Sequence, residues 1–169
     1  EYVRDVGGLG RIAAVFKTLR AQQPGELVFI DGGDTIQGSG PAAWSRSEAV
    51  VAPMNALGLD LAIPGNWEVV YGAEALRQRA AEFRYPMIAA NVHDERTGER
   101  LFAPYLIKEV NGIRIGFIGF TEPAIKTRQP PFMSDGLKFP EREVLQPIIR
   151  ELREEKQVDL VVLVTHIGL

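Results

Sequence analysis

Cysteine is absent from this 169-residue chain. That excludes disulfide staples and thiolate metal ligands, so any bound metal must be held through oxygen or imidazole nitrogen. Histidine is scarce, with 2 residues, and each therefore carries weight. Long apolar runs are missing as well: no stretch approaches the ~20 residues that a membrane-spanning helix needs. There is no excess of positive charge. The formal net charge is −3, which removes the electrostatic footprint expected of a nucleic-acid polymer as partner. Lack of cysteine does not choose between the cytoplasm and an extracytoplasmic space. No internal repeat and no low-complexity tract is visible.

What remains is an ordinary globular composition, 46% hydrophobic, on a chain long enough for one domain with a real core. Ile12, Val15, Phe16 and Leu19 follow helical spacing and predict a helix over 11–22, stopped by Pro24-Gly25. Leu27-Val28-Phe29-Ile30 is a short continuous apolar run, the pattern of a strand buried on both faces. A helix over 42–57, a strand at 61–63, a helix over 73–83 and a strand over 86–90 follow. Asn111-Gly112 then separates two strand-like runs, 105–110 and 113–120, which is a strong hairpin signal. Residues 121–140 are rich in proline and predict a long surface loop. A charged helix over 141–156 follows, with Pro147 expected to kink it or delay its start. A last buried strand covers 158–164. Strands alternating with helices indicate a layered α/β domain.

Three motifs carry the chemistry. They are Asp31-Gly-Gly-Asp34-Thr-Ile-Gln-Gly-Ser-Gly40, Gly65-Asn66-Trp67-Glu68 and Thr165-His166-Ile-Gly168. Each follows a strand-like run, and ligands of layered α/β proteins gather beyond the carboxyl ends of strands. Asp34 offers two carboxylate oxygens and can bridge two ions. Asn66 offers a neutral oxygen suited to a hard or borderline cation. His166 offers an imidazole nitrogen. Together they predict one metal site on one sheet edge. Taken singly, Asp34 also reads as a helix-capping turn residue, Asn66 as a turn and His166 as an interior histidine. Gln37, Ser39 and Asn91 are candidates for lining a polar pocket. His93, in a polar loop, is expected to be solvated, and Arg11 to be structural.

The order and spacing of Gly7-Gly8…Arg11, Gly33-Asp34…Gln37-Gly-Ser39, Gly65-Asn66-Trp67-Glu68, Ala90-Asn91-Val92 and Thr165-His166 resemble the 5′-nucleotidase family of dinuclear metallophosphoesterases. The resemblance implies a four-layer α/β/β/α sandwich and two divalent metal ions: Mn or Zn, with Fe and Co also used in the wider family. Asp34 would bridge the ions, with Asn66 and His166 as ligands to one of them. A hydroxide held between the ions would attack phosphorus or sulfur. Residues 1–169 would then be a fragment of one catalytic domain. It lacks the family's first Asp-x-His strand and its C-terminal Gly-His-x-His segment.

Trp67 stands where the family carries a catalytic histidine, and Val70 stands where that histidine has its aspartate partner. An indole has one N–H donor and no titratable proton at neutral pH, so it cannot act as a general acid. The rival reading is that Trp67 only packs. The paired change resembles the SoxB-like branch, the thiosulfohydrolases of bacterial sulfur oxidation. That resemblance implies a carrier-protein-bound thiosulfonate as substrate, manganese, and a periplasmic or extracytoplasmic location. The alternatives are a 5′-nucleotidase or cyclic phosphodiesterase acting on a small-molecule ester, and a catalytically inactive binding domain on the same fold.

Overall fold

A computed structural model describes residues 8–167. Its elements, in chain order, are α1 (Leu9–Gln22), β1 (Ile30–Asp31), α2 (Gly40–Trp44), α3 (Glu48–Leu57), β2 (Leu61–Ala62), α4 (Gly72–Glu82), β3 (His93–Asp94), β4 (Tyr105–Val110), β5 (Ile113–Thr121), α5 (Ile125–Arg128), β6 (Leu137–Lys138), α6 (Leu145–Arg150) and β7 (Leu160–His166). β1 pairs in parallel with β2, and the Ala62–Met87 bridge adds the extended segment 86–90 to the same layer. β4, β5 and β7 form a second sheet, antiparallel between β4 and β5 and parallel between β5 and β7. β3 and β6 make a small antiparallel pair.

The alternation of side chains along strands divides the interior into three apolar clusters. Leu61, Ile63 and Ile88 point one way, toward Phe117 of β5, and fill the space between the two sheets. Ala62, Met87 and Ala89 point the other way, toward Met54 and Leu57 of α3 and Leu76 of α4. Ile118, one residue after Phe117, faces Ile148 of α6 and the neighbouring Leu152. The layers therefore run helices, sheet, sheet, helix, which is the expected four-layer α/β/β/α sandwich. Full burial of a side chain such as Leu61 or Ile88 stabilises by roughly 1.5–3 kcal/mol. At one end the two sheets meet by backbone: the Gly119 carbonyl accepts from the Ala90 N–H at 2.7 Å, and a Cβ on Gly119 would stand 2.9 Å from Ile63 Cγ2.

Several local expectations are corrected. On α1 the packed face is Leu9, Ala13 and Phe16, while Ile12 and Val15 remain 40% and 54% exposed. Phe16 decides this by stacking on Phe29, ring centroids 4.0 Å apart, which turns the adjacent apolar positions outward. The predicted 42–57 helix is two helices. Arg46 and Ser47 lie between them with φ of 50° and 69°. Ser45 replaces the lost helical bonds, with Oγ donating to the Pro41 carbonyl at 2.7 Å and accepting from the Ala49 N–H at 2.9 Å. Segment 121–140 is no surface loop throughout. It holds α5, a 3₁₀ turn at Pro131–Ser134 and β6, and its Ile125, Leu137 and Phe139 join the helix-side core.

Pro147 lies in the first turn of α6, where its missing N–H costs nothing, and a 3₁₀ turn precedes that helix. β7 is an edge strand of its described sheet, so Leu160 and Leu163 are exposed rather than buried. His93 is half-buried in β3, its Nδ1 3.0 Å from the Gly98 carbonyl and its Nε2 3.3 Å from that of Ala90.

Candidate metal centre

The centre is built where the loop after β1, the loop after β2 and the end of β7 converge. Gly33 and Gly65 make the convergence possible. A Cβ on Gly65 would stand 2.7 Å from Asp34 N and 2.8 Å from His166 Cε1, and one on Gly33 would stand 3.0 Å from His166 Nδ1. Gly33 also takes a φ of 90°, which other residues rarely adopt. Asp34 follows with φ of 63°, a left-handed conformation that turns its carboxylate back toward the Asn66 loop.

One buried carboxylate ties the two loops together. Glu68, 3% exposed, accepts backbone N–H bonds from Gly65 at 2.6 Å, Asp34 at 2.7 Å, Thr35 at 2.7 Å and Ile36 at 3.1 Å. Burial pushes its carboxyl above the ordinary range, and these four donors pull it part of the way back. Asp31 braces the same loop, its Oδ1 accepting from Thr35 Oγ1 at 2.6 Å and from the Gly33 N–H at 3.0 Å. Sequence reasoning assigned Glu68 no role. Its place two residues after Asn66, at the end of Gly-Asn-Trp-Glu, was the available signal.

Asp34 and His166 face each other. Asp34 Oδ1 accepts from the Trp67 backbone N–H at 2.8 Å, and Oδ2 lies 3.2 Å from His166 Nε2. His166 Nδ1 lies 2.8 Å from the Gly32 carbonyl. A carbonyl only accepts, so Nδ1 carries a proton, and it is Nε2 that can present a lone pair toward Asp34. Two lone pairs facing each other repel unless a cation or a proton lies between them. A carboxylate oxygen and an imidazole whose other nitrogen is fixed by a carbonyl are also the donor pair that borderline divalent metals accept. The residues therefore fit a metal ion. Asn66 is half-buried and flanked by both ties, Gly65 N–H to Glu68 and Trp67 N–H to Asp34. Among the described residues, no group of three or more His, Cys, Asp and Glu forms a cage. Gly7 and Gly168, named from the sequence, lie outside the described residues.

Trp67, whose N–H bonds Asp34, also lines a hollow of about 340 Å³ together with Gln37, Arg46, Val70, Tyr71, Phe132 and Met133. Trp67 and Gln37, two of the residues singled out from the sequence, are both among its lining. Gln37 Nε2 donates to the Tyr71 hydroxyl, and its Oε1 accepts from the Gly38 N–H at 2.9 Å. Asn91 is elsewhere. It is fully buried, its Oδ1 accepts from the Thr121 N–H at 3.0 Å, and its Nδ2 donates to the carbonyls of Thr121 at 2.8 Å and Pro140 at 3.2 Å. Its place is that of a brace between chain segments, since all its polar groups are spent inside the fold. Ser39 caps α2, accepting from the Ala42 N–H at 3.2 Å, and Arg11 is exposed on α1.

The chain matches the calcineurin-like phosphoesterase family over residues 5–169. A 5′-nucleotidase of Vibrio cholerae is 32% identical over 95% of this chain and 30% of its own length. Among solved structures, sulfate thiohydrolase SoxB of Thermus thermophilus, in complex with glycerol, superposes with a TM-score of 0.87 at 28% identity, over 96% of this chain and 30% of that one. A 5′-nucleotidase precursor of Thermus thermophilus superposes with a TM-score of 0.83 at 30% identity, over 96% of this chain and 32% of that one. The chain thus spans about a third of the length of these relatives.

Proposed function

This chain belongs to the calcineurin-like phosphoesterase family, and on that premise we propose that its protein is a metal-dependent hydrolase whose leaving group departs as an anion without a proton from the enzyme. The substrate class that fits best is a carrier-bound thiosulfonate or another ester with a good leaving group. The observation that carries this reading is the pairing of Trp67 and Val70. Both line one hollow, which reaches Asp34 through the Trp67 N–H, and they stand at the two sequence positions where the resemblance leads one to expect a proton-donating pair. Neither side chain can supply a proton at neutral pH. A sulfur leaving group tolerates that loss, since a thiol gives up its proton near pH ~8.5 whereas an alcohol holds on far more tightly. In the overall reaction, water adds to the sulfonate sulfur and the sulfur–sulfur bond breaks. The bonding pair leaves with the departing sulfur, and sulfate is released with the protons of water.

Members of the family use a dinuclear divalent metal centre. Asp34, Asn66 and His166 are the residues of this chain that would hold metal, with manganese the expected occupant. When bound, such ions supply Lewis acidity and activate water. The protein's own part is positional. The Gly32 carbonyl fixes the imidazole of His166, Glu68 fixes the two loops, and Trp67 orients Asp34 through its N–H and walls the pocket with its ring. A periplasmic location goes with this reading.

The similarity to 5′-nucleotidases favours a second reading, hydrolysis of nucleotides or cyclic nucleotides without the histidine. The test is to offer full-length protein with manganese both nucleotides and a peptide S-thiosulfonate. Sulfate release with slow nucleotide turnover is expected. Fast nucleotide turnover without sulfate release would sink the proposal. The double change Trp67→His, Val70→Asp should raise nucleotide hydrolysis, and no rise would count against the pairing.

A further inference from the structure

The hydrolytic reading uses Trp67 and Val70 of the hollow and leaves the rest of its lining without a role. Its walls are aromatic and apolar, from Trp67, Tyr71, Val70, Phe132 and Met133, and its one charge is Arg46. Phe132 and Trp67 are 73% and 43% exposed, so this lining is open to a ligand. Arg46 is held there at a cost. It and Ser47 are consecutive left-handed residues, a conformation that costs on the order of 1–3 kcal/mol per residue and persists where the surroundings enforce it. The enforcement is visible. The Arg46 N–H bonds the Ala43 carbonyl at 3.3 Å, the Ser47 N–H bonds that of Ala42 at 2.7 Å, and Ser45 clips Pro41 to Ala49.

The Arg46 guanidinium lies 5.8 Å from the centroid of the Tyr71 ring, and Tyr71 is itself held by Gln37 and the Ala43 carbonyl. Glu48 and Glu74 border Arg46 on its other side, yet Arg46 enters none of the ion pairs among the described residues. Its donors remain available toward the hollow.

We infer that this hollow is a leaving-group subsite in which Arg46 takes an anionic substituent of the departing group while Trp67, Tyr71 and Phe132 pack its apolar body. Arg46 would then be a specificity-determining residue. The inference rests on the proposed hydrolysis at Asp34 and His166. The connection is short: Trp67, which lines the hollow, donates its backbone N–H to Asp34 Oδ1 at 2.8 Å, and Gln37, another lining residue, is three residues from Asp34. A guanidinium over an aromatic face, at the rim of a partly enclosed space, suits a carboxylate better than a neutral group, because Arg offers a fork of donors that carboxylates match.

The test compares 4-nitrophenyl phosphate with 3-carboxy-4-nitrophenyl phosphate, using full-length protein and manganese. A charge-assisted contact predicts that Arg46→Gln lowers kcat/KM for the carboxylated ester about tenfold, mainly through KM. The fall for 4-nitrophenyl phosphate should be clearly smaller, and Arg46→Lys should retain most of the preference. A second readout needs no turnover. Benzoate and benzamide are titrated into the protein by calorimetry. Benzoate should bind about tenfold tighter, and Arg46→Gln should abolish the difference. If no ester is cleaved but benzoate still binds in an Arg46-dependent manner, the subsite stands and the hydrolytic reading fails. If Arg46→Gln leaves the benzoate preference intact, or lowers both esters alike, the subsite is overturned.

Discussion

Replacing Glu68 tests how the centre is held together. Its Oε2 accepts from Gly65 and Asp34, and its Oε1 accepts from Thr35 and Ile36. In Glu68→Ala these four N–H groups lose their acceptor. Asp34 and Thr35 are partly accessible, so water can reach them, but Ile36 is 3% exposed and Gly65 is buried. Each donor left dry costs about 1–3 kcal/mol, and relief of burying a charge returns part of that. A net loss of about 2–4 kcal/mol in urea unfolding at pH 7 follows.

Glu68→Gln sharpens the reasoning. It keeps the volume and one oxygen, but its amide nitrogen must face two N–H groups, donor against donor. It should therefore be as destabilising as Ala despite being isosteric. It should also weaken metal uptake, because both loops that carry Asp34 and Asn66 lose their tie. A Glu68→Gln protein within about 0.5 kcal/mol of wild type would refute the claim that two acceptor oxygens of Glu68 join these loops.

Other perturbations have equally definite outcomes. Gly65→Ala drives a methyl into Asp34 and His166 and should cost about 1–3 kcal/mol. Gly10→Ala, on α1 with open space around it, should stabilise by about 0.5–1 kcal/mol, and thermal unfolding of the pair checks both. Asp60 links α1, the 27–30 run and β4. Burial pushes its carboxyl up, but hydrogen bonds from Lys108 and the Phe29 N–H, with the charges of Lys108 and Arg20, hold it below the ordinary value. A depressed carboxyl contributes stability above its unfolded pKa, and that contribution is lost as pH falls through the folded value. Asp60→Asn should thus cost about 2 kcal/mol at pH 7, and the gap from wild type should close below about pH 4. Urea unfolding across pH 2–7 checks the sign; a gap that widens on acidification would reverse it.

The layers were legible because their signals are periodic. Segment 61–63, with Leu61 and Ile63 on one face and Ala62 on the other, and the Asn111-Gly112 hairpin both emerge from local rules. Ligand-type residues at strand ends likewise pointed to Asp34 and His166, which meet at 3.2 Å. What stayed hidden depends on partners distant in sequence or on turns that only the folded chain closes. The break at Arg46 and Ser47 is set by Ala42, Ala43 and Ser45 carrying the turn's hydrogen bonds, which no propensity scale encodes. The role of Glu68 depends on four backbone donors, three of them more than thirty residues away. Asn91 was misplaced because a buried amide bracing Thr121 and Pro140 looks, in sequence, like a polar pocket residue. The exposure of β7 reflects its place at the sheet edge rather than its Val- and Leu-rich sequence.

The most direct measurement is anomalous diffraction from crystals of the full-length protein grown with manganese. The predicted result is a manganese peak between Asp34 Oδ2 and His166 Nε2, with the Asn66 side-chain oxygen among its ligands. Manganese bound elsewhere, with Asp34 and His166 still joined directly to each other, would contradict the assignment of these residues to a metal centre.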